Sequence, residues 1–279
     1  MWRDCSRPEA AVRALGMLLV CTVVSVFMGW KMLTRWLDRP LAITEPVIAE
    51  LPAGGNLIRF AQQLGERGVL DLPNWLRLQA RLTGVADKVR AGEYRVEAGM
   101  TPRKLLAMLV AGKVVVYSVT LIEGNTVGQL LARLHAQERL QHTVDAADAS
   151  ALVGTLGLDS VAWPSVEGAF LPETYQFHRG MSDADVLRAA HTALEDVLAE
   201  EWALRAPDLP YANPYQALVM ASLIEKETGV ASERARIAGV FVRRLRQRML
   251  LQTDPAVIYG LGERFDGNLT REHLRTPGP

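Results

Sequence analysis

The hydrophobic pattern divides the chain into three regimes. From Ala14 to Trp30 no residue carries a charge (ALGMLLVCTVVSVFMGW), and Arg13 and Lys31 stand on either side. As a helix this run spans about 25 Å, the lower limit for crossing a bilayer. A soluble core helix is seldom apolar on every face. A cleaved signal peptide is the competing reading, but no small-x-small site follows the run. Trp30 and Trp36 are expected at the membrane interface. Arg3, Arg7 and Arg13 precede the segment and Lys31, Arg35 and Arg39 follow it, so charge alone does not orient it. A short tail before the span and a large remainder after it point to a cytoplasmic N-terminus. The reading is a tail over 1–13, an anchor over 14–37 and a Pro-containing linker over 38–53 with one short extended stretch.

In the second regime, helical and alternating periods take turns, and they do so twice. Leu57, Phe60, Ala61, Leu64 and Leu70 recur in spacing as Val127, Leu130, Leu131, Leu134 and Leu140. Each set makes one apolar helical face. Further on, Tyr94-x-Val-x-x-Gly-Met-Thr recurs as Tyr175-x-Phe-x-x-Gly-Met-Ser, each followed by apolar pairs, Leu105/Leu106 and Val186/Leu187. Alternation before the motif predicts a short strand. Thr101 and Ser182 are predicted N-caps, and Pro102 suits a first helical position. The pattern predicts two related small α+β modules, over 54–117 and 118–200, each with a helix, a connecting segment, a strand and a second helix. The first resembles LysM-type glycan-binding modules. A purely structural pair that positions a catalytic part fits the pattern equally.

The third regime, 201–279, is helix-rich. NPYQALVMASLIEKETG (213–229) has a capping Asn213, Pro214 at the first position and Gly229 at its end. Its middle, Ala217–Ile224, is apolar nearly all round, which predicts deep burial. A helix from Ser232 presents Ile237, Val240, Phe241 and Leu245 on one face and arginines on the other. In LLQTDPAVIYGLG, Asp254-Pro255 and Gly260 are expected to mark turns around a short strand.

Composition narrows the chemistry. The chain has 279 residues, enough for two or three compact units, and zero formal net charge, which argues against a nucleic-acid binder. Its two cysteines, Cys5 and Cys21, both lie near the N-terminus, so the rest holds neither a disulfide nor a thiolate metal site. The five histidines show no metal-ligand spacing. Trp75 and Trp163 suit either sugar stacking or a core. The singular feature is Glu225-Lys226-Glu227 at a helix end. Two residues apart, the glutamates point about 200° apart. Glu227 stacks above Leu223, Ile224 and Met220, an apolar setting that would favour the protonated acid needed to donate to a glycosidic oxygen. A surface glutamate on a fraying last turn is the alternative.

ASLIEKETGVASERARIAGVFVRRL (221–245) with LQTDPAVIYGLGERFDGNLTREHLRTPGP (251–279) closely resembles the MltG/YceG-like endolytic murein transglycosylases, and so do GEYRVEAGMT, LIEGNTV and EGAFLPETYQF. The resemblance covers the chain from about residue 45 onward. It implies a single-pass protein of the bacterial inner membrane with an extracytoplasmic catalytic domain. It also implies non-hydrolytic cleavage of the MurNAc–GlcNAc bond of peptidoglycan glycan strands, leaving 1,6-anhydro ends and terminating nascent strands. Peptidoglycan synthases (penicillin-binding proteins) are the implied partners, and no cofactor or metal is needed. The second glutamate of the EKE motif, Glu227, is the implied catalytic residue. Gln252, Thr253, Asp254 and Tyr259 are candidate sugar contacts, with a plain Asp-Pro turn as the alternative. Glu173 and Tyr175 lie in the block implied to flank the cleft, though Tyr175 has its repeat counterpart Tyr94, which favours a structural role. The family pattern continues beyond RTPGP, so the catalytic domain is expected to be incomplete here. A membrane-anchored peptidoglycan-binding or division scaffold with an idle Glu227 is the competing function.

Overall fold

A computed structural model describes residues 7–52, 54–145 and 151–275. It is an α+β chain of helices and two small sheets, dividing into two units, Met1–Val116 and Tyr117–Pro279.

The first unit opens with α1 (Arg7–Leu37). Its stretch Val12–Leu37 is long and apolar enough to cross a membrane, and its side chains from Val12 to Met32 are exposed. The last turn behaves differently: Leu33, Trp36 and Leu37 are buried in the core of the unit. The Trp36 indole N–H donates to Asp71 Oδ1 at 2.7 Å, and its ring meets Trp75 edge-on. Trp36 is therefore a core residue and not the interfacial anchor its spacing suggested; Trp30 remains exposed. Then come β1 (Val47–Leu51), α2 (Leu57–Glu66), α3 (Pro73–Leu82), β2 (Gly92–Val96) and α4 (Pro102–Ala111). The extended stretch expected within the linker is β1, paired antiparallel with β2 so that Ala49 faces Tyr94.

The second unit repeats this plan as β3 (Tyr117–Thr120), α5 (Val127–His135), α6 (Leu152–Leu156), β4 (Thr174–Phe177) and α7 (Asp183–Leu204). Val119 faces Tyr175 across its antiparallel pair. Each copy thus opens with a strand ahead of its first helix: β1 is the extended stretch expected in the linker, and β3 was not anticipated. Two-stranded sheets are marginal alone, so each depends on helices packed against it. Leu131 and Leu134 of α5 and Leu187 of α7 are fully buried, each contributing about 1.5–3 kcal/mol.

The repeat persists in single hydrogen bonds. The Tyr94 hydroxyl donates to the Arg90 carbonyl at 2.6 Å, and the Tyr175 hydroxyl to that of Leu171 at 2.8 Å. The N–H groups of Arg90 and Leu171 in turn donate to Leu109 and Ala190, at 3.1 and 3.0 Å. Thr101 and Ser182 are N-caps, accepting from the N–H groups of Lys104 and Asp185. Asn56 and Thr126 cap α2 and α5 in the same relation. The two tyrosines therefore hold a turn onto a helix, which is a structural role.

Three helices complete the second unit: α8 (Pro214–Glu227), α9 (Ala231–Arg246) and α10 (Asp254–Leu261). Asn213 caps α8 by accepting from the Gln216 N–H at 2.9 Å. Two expectations fail here. The QTDPAVIYG stretch is helical, with Pro255 in the first turn of α10, where a missing N–H costs nothing. And α8 is not deeply buried: Met220 is its one buried residue, Val219 is 43% exposed, and Tyr215 and Leu218 lean on the core. Apolar composition identified the helix, but it does not supply neighbours on every side.

Candidate active site

The α8–α9 corner is built by Thr228. Buried and extended, it ends α8 by donating its N–H to the Ile224 carbonyl. Its hydroxyl donates to Glu233 Oε2 at 2.9 Å and accepts from the Val230 N–H at 3.0 Å. Helix α8 thus stops at Thr228, one residue before the glycine expected to end it. One turn into α9, Arg234 reaches back to Glu225 at 3.0 Å. The two glutamates of the EKE motif consequently differ. Glu225 is half-buried and paired. Glu227 is exposed and makes no hydrogen bond or ion pair among the described residues. The apolar enclosure expected from Leu223, Ile224 and Met220 is absent, since Glu227 is exposed.

Two further segments come up to this helix end. Gly124, at φ +70°, brings its backbone against Glu225 and Lys226; a methyl group there would lie 3.8 Å from Glu225 Cγ and 3.9 Å from Lys226 Nζ. Glu167 is the residue that sequence reasoning missed. Its carboxylate accepts from the Val127 N–H at 3.0 Å, closing the N-terminus of α5, where the helix dipole favours an anion. Burial pushes the Glu167 carboxyl above its ordinary value, and the Val127 hydrogen bond and the Lys226 charge partly oppose that. Tyr259 on α10 belongs to the same group. Burial raises its phenol, and the charge of Glu167 adds to the rise. Nothing local in EGAF advertises this role, since the partner Val127 is 40 residues away.

The other candidates divide. Gln252 is exposed and sits at φ +53°, a conformation rare for a residue with a side chain. Next to it, Thr253 is buried, and its hydroxyl has no hydrogen-bond partner among the described residues. Asp254 is exposed at the first turn of α10, and α10 packs on α8. Glu173 is exposed, and its carbonyl accepts from the Leu121 N–H at 2.9 Å, fastening β4 to the strand that leads into the Gly124 turn. Burial pushes the Tyr175 phenol up to about 12, with Glu173 adding to it. Trp163 is a core residue, edge-on to His191 and Tyr215. The arrangement therefore offers one free carboxylate, a paired carboxylate beside it and a half-buried one facing a lysine. That set suits proton transfer and hydrogen bonding.

The chain is 25% identical over 249 residues to the endolytic murein transglycosylase of Bacillus subtilis, a match covering 80% of this chain and 65% of that protein. It is 26% identical over 245 residues to the endolytic murein transglycosylase of Streptococcus pneumoniae, covering 78% of this chain and 43% of the other. A yceG-like protein of Listeria monocytogenes, known from a 2.6 Å crystal structure, is 24% identical with a TM-score of 0.45, covering 84% of this chain and 81% of that one. The matched region thus spans less than two thirds of each transglycosylase. Residues 49–279 match the description of one family throughout, and the chain belongs to the YceG-like family.

Proposed function

We propose that this protein is an endolytic lytic transglycosylase of peptidoglycan, with Glu227 as its single acid/base. The observation that carries the reading is the division of labour in the EKE motif: Glu225 is held by Arg234, while Glu227 stands free at the exposed end of α8. The transglycosylase names of the two matched relatives support it. In the proposed reaction Glu227 donates its proton to the glycosidic oxygen as the MurNAc C1–O bond breaks. Its carboxylate then takes the proton of the C6 hydroxyl, whose oxygen bonds to C1 and leaves a 1,6-anhydro end. Because the nucleophile is intramolecular, the paired-carboxylate spacing of ordinary glycosidases is not required. Gln252, Thr253, Asp254, Tyr259 and Glu173 are the proposed sugar contacts.

Helix α1 anchors the protein in the bacterial inner membrane with the N-terminus cytoplasmic. The β1–α2–α3–β2 arrangement, in the order of a LysM module, adds glycan affinity, and the part from about 201 carries the chemistry. Terminating strands as peptidoglycan synthases extend them is the proposed physiological use.

The exposure of Glu227 favours a second reading, a non-catalytic peptidoglycan-binding scaffold. Mass spectrometry of glycan strands after incubation with the protein separates the two. Transglycosylase activity yields anhydro-muramoyl ends. Glu227→Gln should remove them, with a loss on the order of 10²–10⁴-fold, and the exposed position should leave the fold intact. Glu225→Gln should reduce activity far less. No anhydro product from the unaltered protein, with sacculi still bound, would establish the scaffold instead.

A further inference from the structure

We propose that His135, His142 and Asp183 form a binding site for one divalent transition-metal ion, zinc by its chemistry, which clasps three segments of the second unit together. Their spacing along the chain gives no hint of it; the fold brings one ligand atom from each within 4.8 Å of the others. His135 Nε2 lies 3.3 Å from Asp183 Oδ2, and His142 Nδ1 lies 3.9 Å from the same oxygen. The imidazole rings are 4.9 Å apart. Ligands about 2.0–2.2 Å from a tetrahedral zinc stand roughly 3.3 Å from one another. One edge of that tetrahedron is therefore already formed, and the remaining separations, none above 4.8 Å, are the ones His142 would have to shorten.

The carboxylate is prepared for the task. Asp183 is fully buried. Its Oδ1 accepts from the Thr143 N–H at 2.9 Å, the Thr143 hydroxyl at 2.7 Å and its own helix at the Ala184 N–H, 2.8 Å. Oδ2 has only a long 3.4 Å bond from the Val144 N–H, so its outward lone pair is left for the two imidazoles. This is the outer-shell support that fixes a ligating carboxylate. The imidazoles are the accessible side of the cluster, with His135 29% and His142 38% exposed, so an ion has an entry and room for water. Two nitrogens and one oxygen select zinc, cobalt or nickel over calcium and magnesium, which take oxygen ligands. The competing arrangement has no metal: His135 Nε2–H donates to the Val144 carbonyl at 3.1 Å and is shared with Asp183. A metal and that proton compete for one nitrogen.

The site is a clasp and not part of the proposed catalytic group. His135 ends α5, while the Val127 N–H that holds Glu167 begins it, about 12 Å away along the helix. An ion here would join the end of α5, the 141–144 segment and the start of α7.

The test is titration of the full-length, detergent-solubilised, chelator-dialysed protein with zinc chloride by calorimetry, with cobalt(II) absorption as the coordination readout. The expected result is one equivalent bound, a visible cobalt spectrum and a zinc-dependent rise in the melting temperature of the second unit. His142→Ala is the main variant, since that side chain makes no hydrogen bond within the described residues and its removal should spare the fold. It should weaken zinc roughly 100-fold or more, at or beyond the top of the range for outer-shell changes, and abolish the melting shift. His135→Ala should do the same. Zinc binding and melting shift unchanged in His142→Ala, or no binding by the unaltered protein, would overturn the site in favour of the hydrogen-bonded pair.

Discussion

At the scale of single residues, Gly124 shows how conformation and space can be told apart. An alanine at φ +70° pays about 1–2 kcal/mol for the left-handed backbone, whereas its methyl group would meet Glu225 and Lys226 at ordinary van der Waals distance. Gly54, its repeat counterpart, has the same φ of +70° and open space around it. Gly124→Ala and Gly54→Ala should therefore lose similar stability, each read from the melt of its own unit, but only Gly124→Ala should lower the proposed lytic activity, by shifting the turn against α8. Equal activity in both variants would remove this turn from the site. Tyr175 gives a pH prediction. Its phenol is raised from 10.0 to about 12, so its contribution is present below pH 10 and lost as pH rises toward 12. Denaturant melts should show the second unit losing stability across that window, and Tyr175→Phe should flatten the slope while lowering stability at neutral pH through the lost bond to Leu171.

At the scale of elements, what the sequence makes legible is local chemistry. Thr101, Ser182 and Asn213 announce their helices because a cap is made between residues three apart. The Tyr-x-x-x-x-Gly-Met motif announces its repeat because each copy closes the same turn. Elements whose cause is distant are not legible in the same way. Strand β1 lies among prolines and becomes a strand only through β2. In α10, Val257, Ile258 and Tyr259 carry strand propensity, and packing on α8 overrides it. Glu167 is set by partners on α5 and α8, and the histidine pair finds Asp183 only after α7 is in place. For the proposed site, the EKE glutamates are legible from helical geometry. Their burial is not, because it depends on which helices cover α8.

At the scale of the molecule, the end of α1 raises the question of where the proposed anchor stops and the packed part of the first unit begins. A division after Leu37 looks natural from sequence, yet Leu33, Trp36 and Leu37 are 4%, 7% and 1% exposed within the core of that unit. Full burial of such side chains is worth about 1.5–3 kcal/mol each, and three together rival the roughly 5–15 kcal/mol that stabilises a typical domain. Polar ties at this junction include the Trp36–Asp71 hydrogen bond and the exposed Arg103–Asp38 pair, 2.7 Å at its shorter contact; exposed pairs contribute about 1 kcal/mol or less. A chain beginning at Asp38 keeps the ion pair and loses the apolar turn. A chain beginning at Lys31 keeps both and drops most of the exposed apolar helix. Thermal melts and limited proteolysis should find the first unit intact in the chain from Lys31. In the chain from Asp38 that unit should be strongly destabilised, with early cleavage between β1 and α4, while the second unit melts alike in both. Identical melts of the first unit would mean that the last turn of α1 only rests on the core, leaving the apolar helix free to move relative to the rest of that unit.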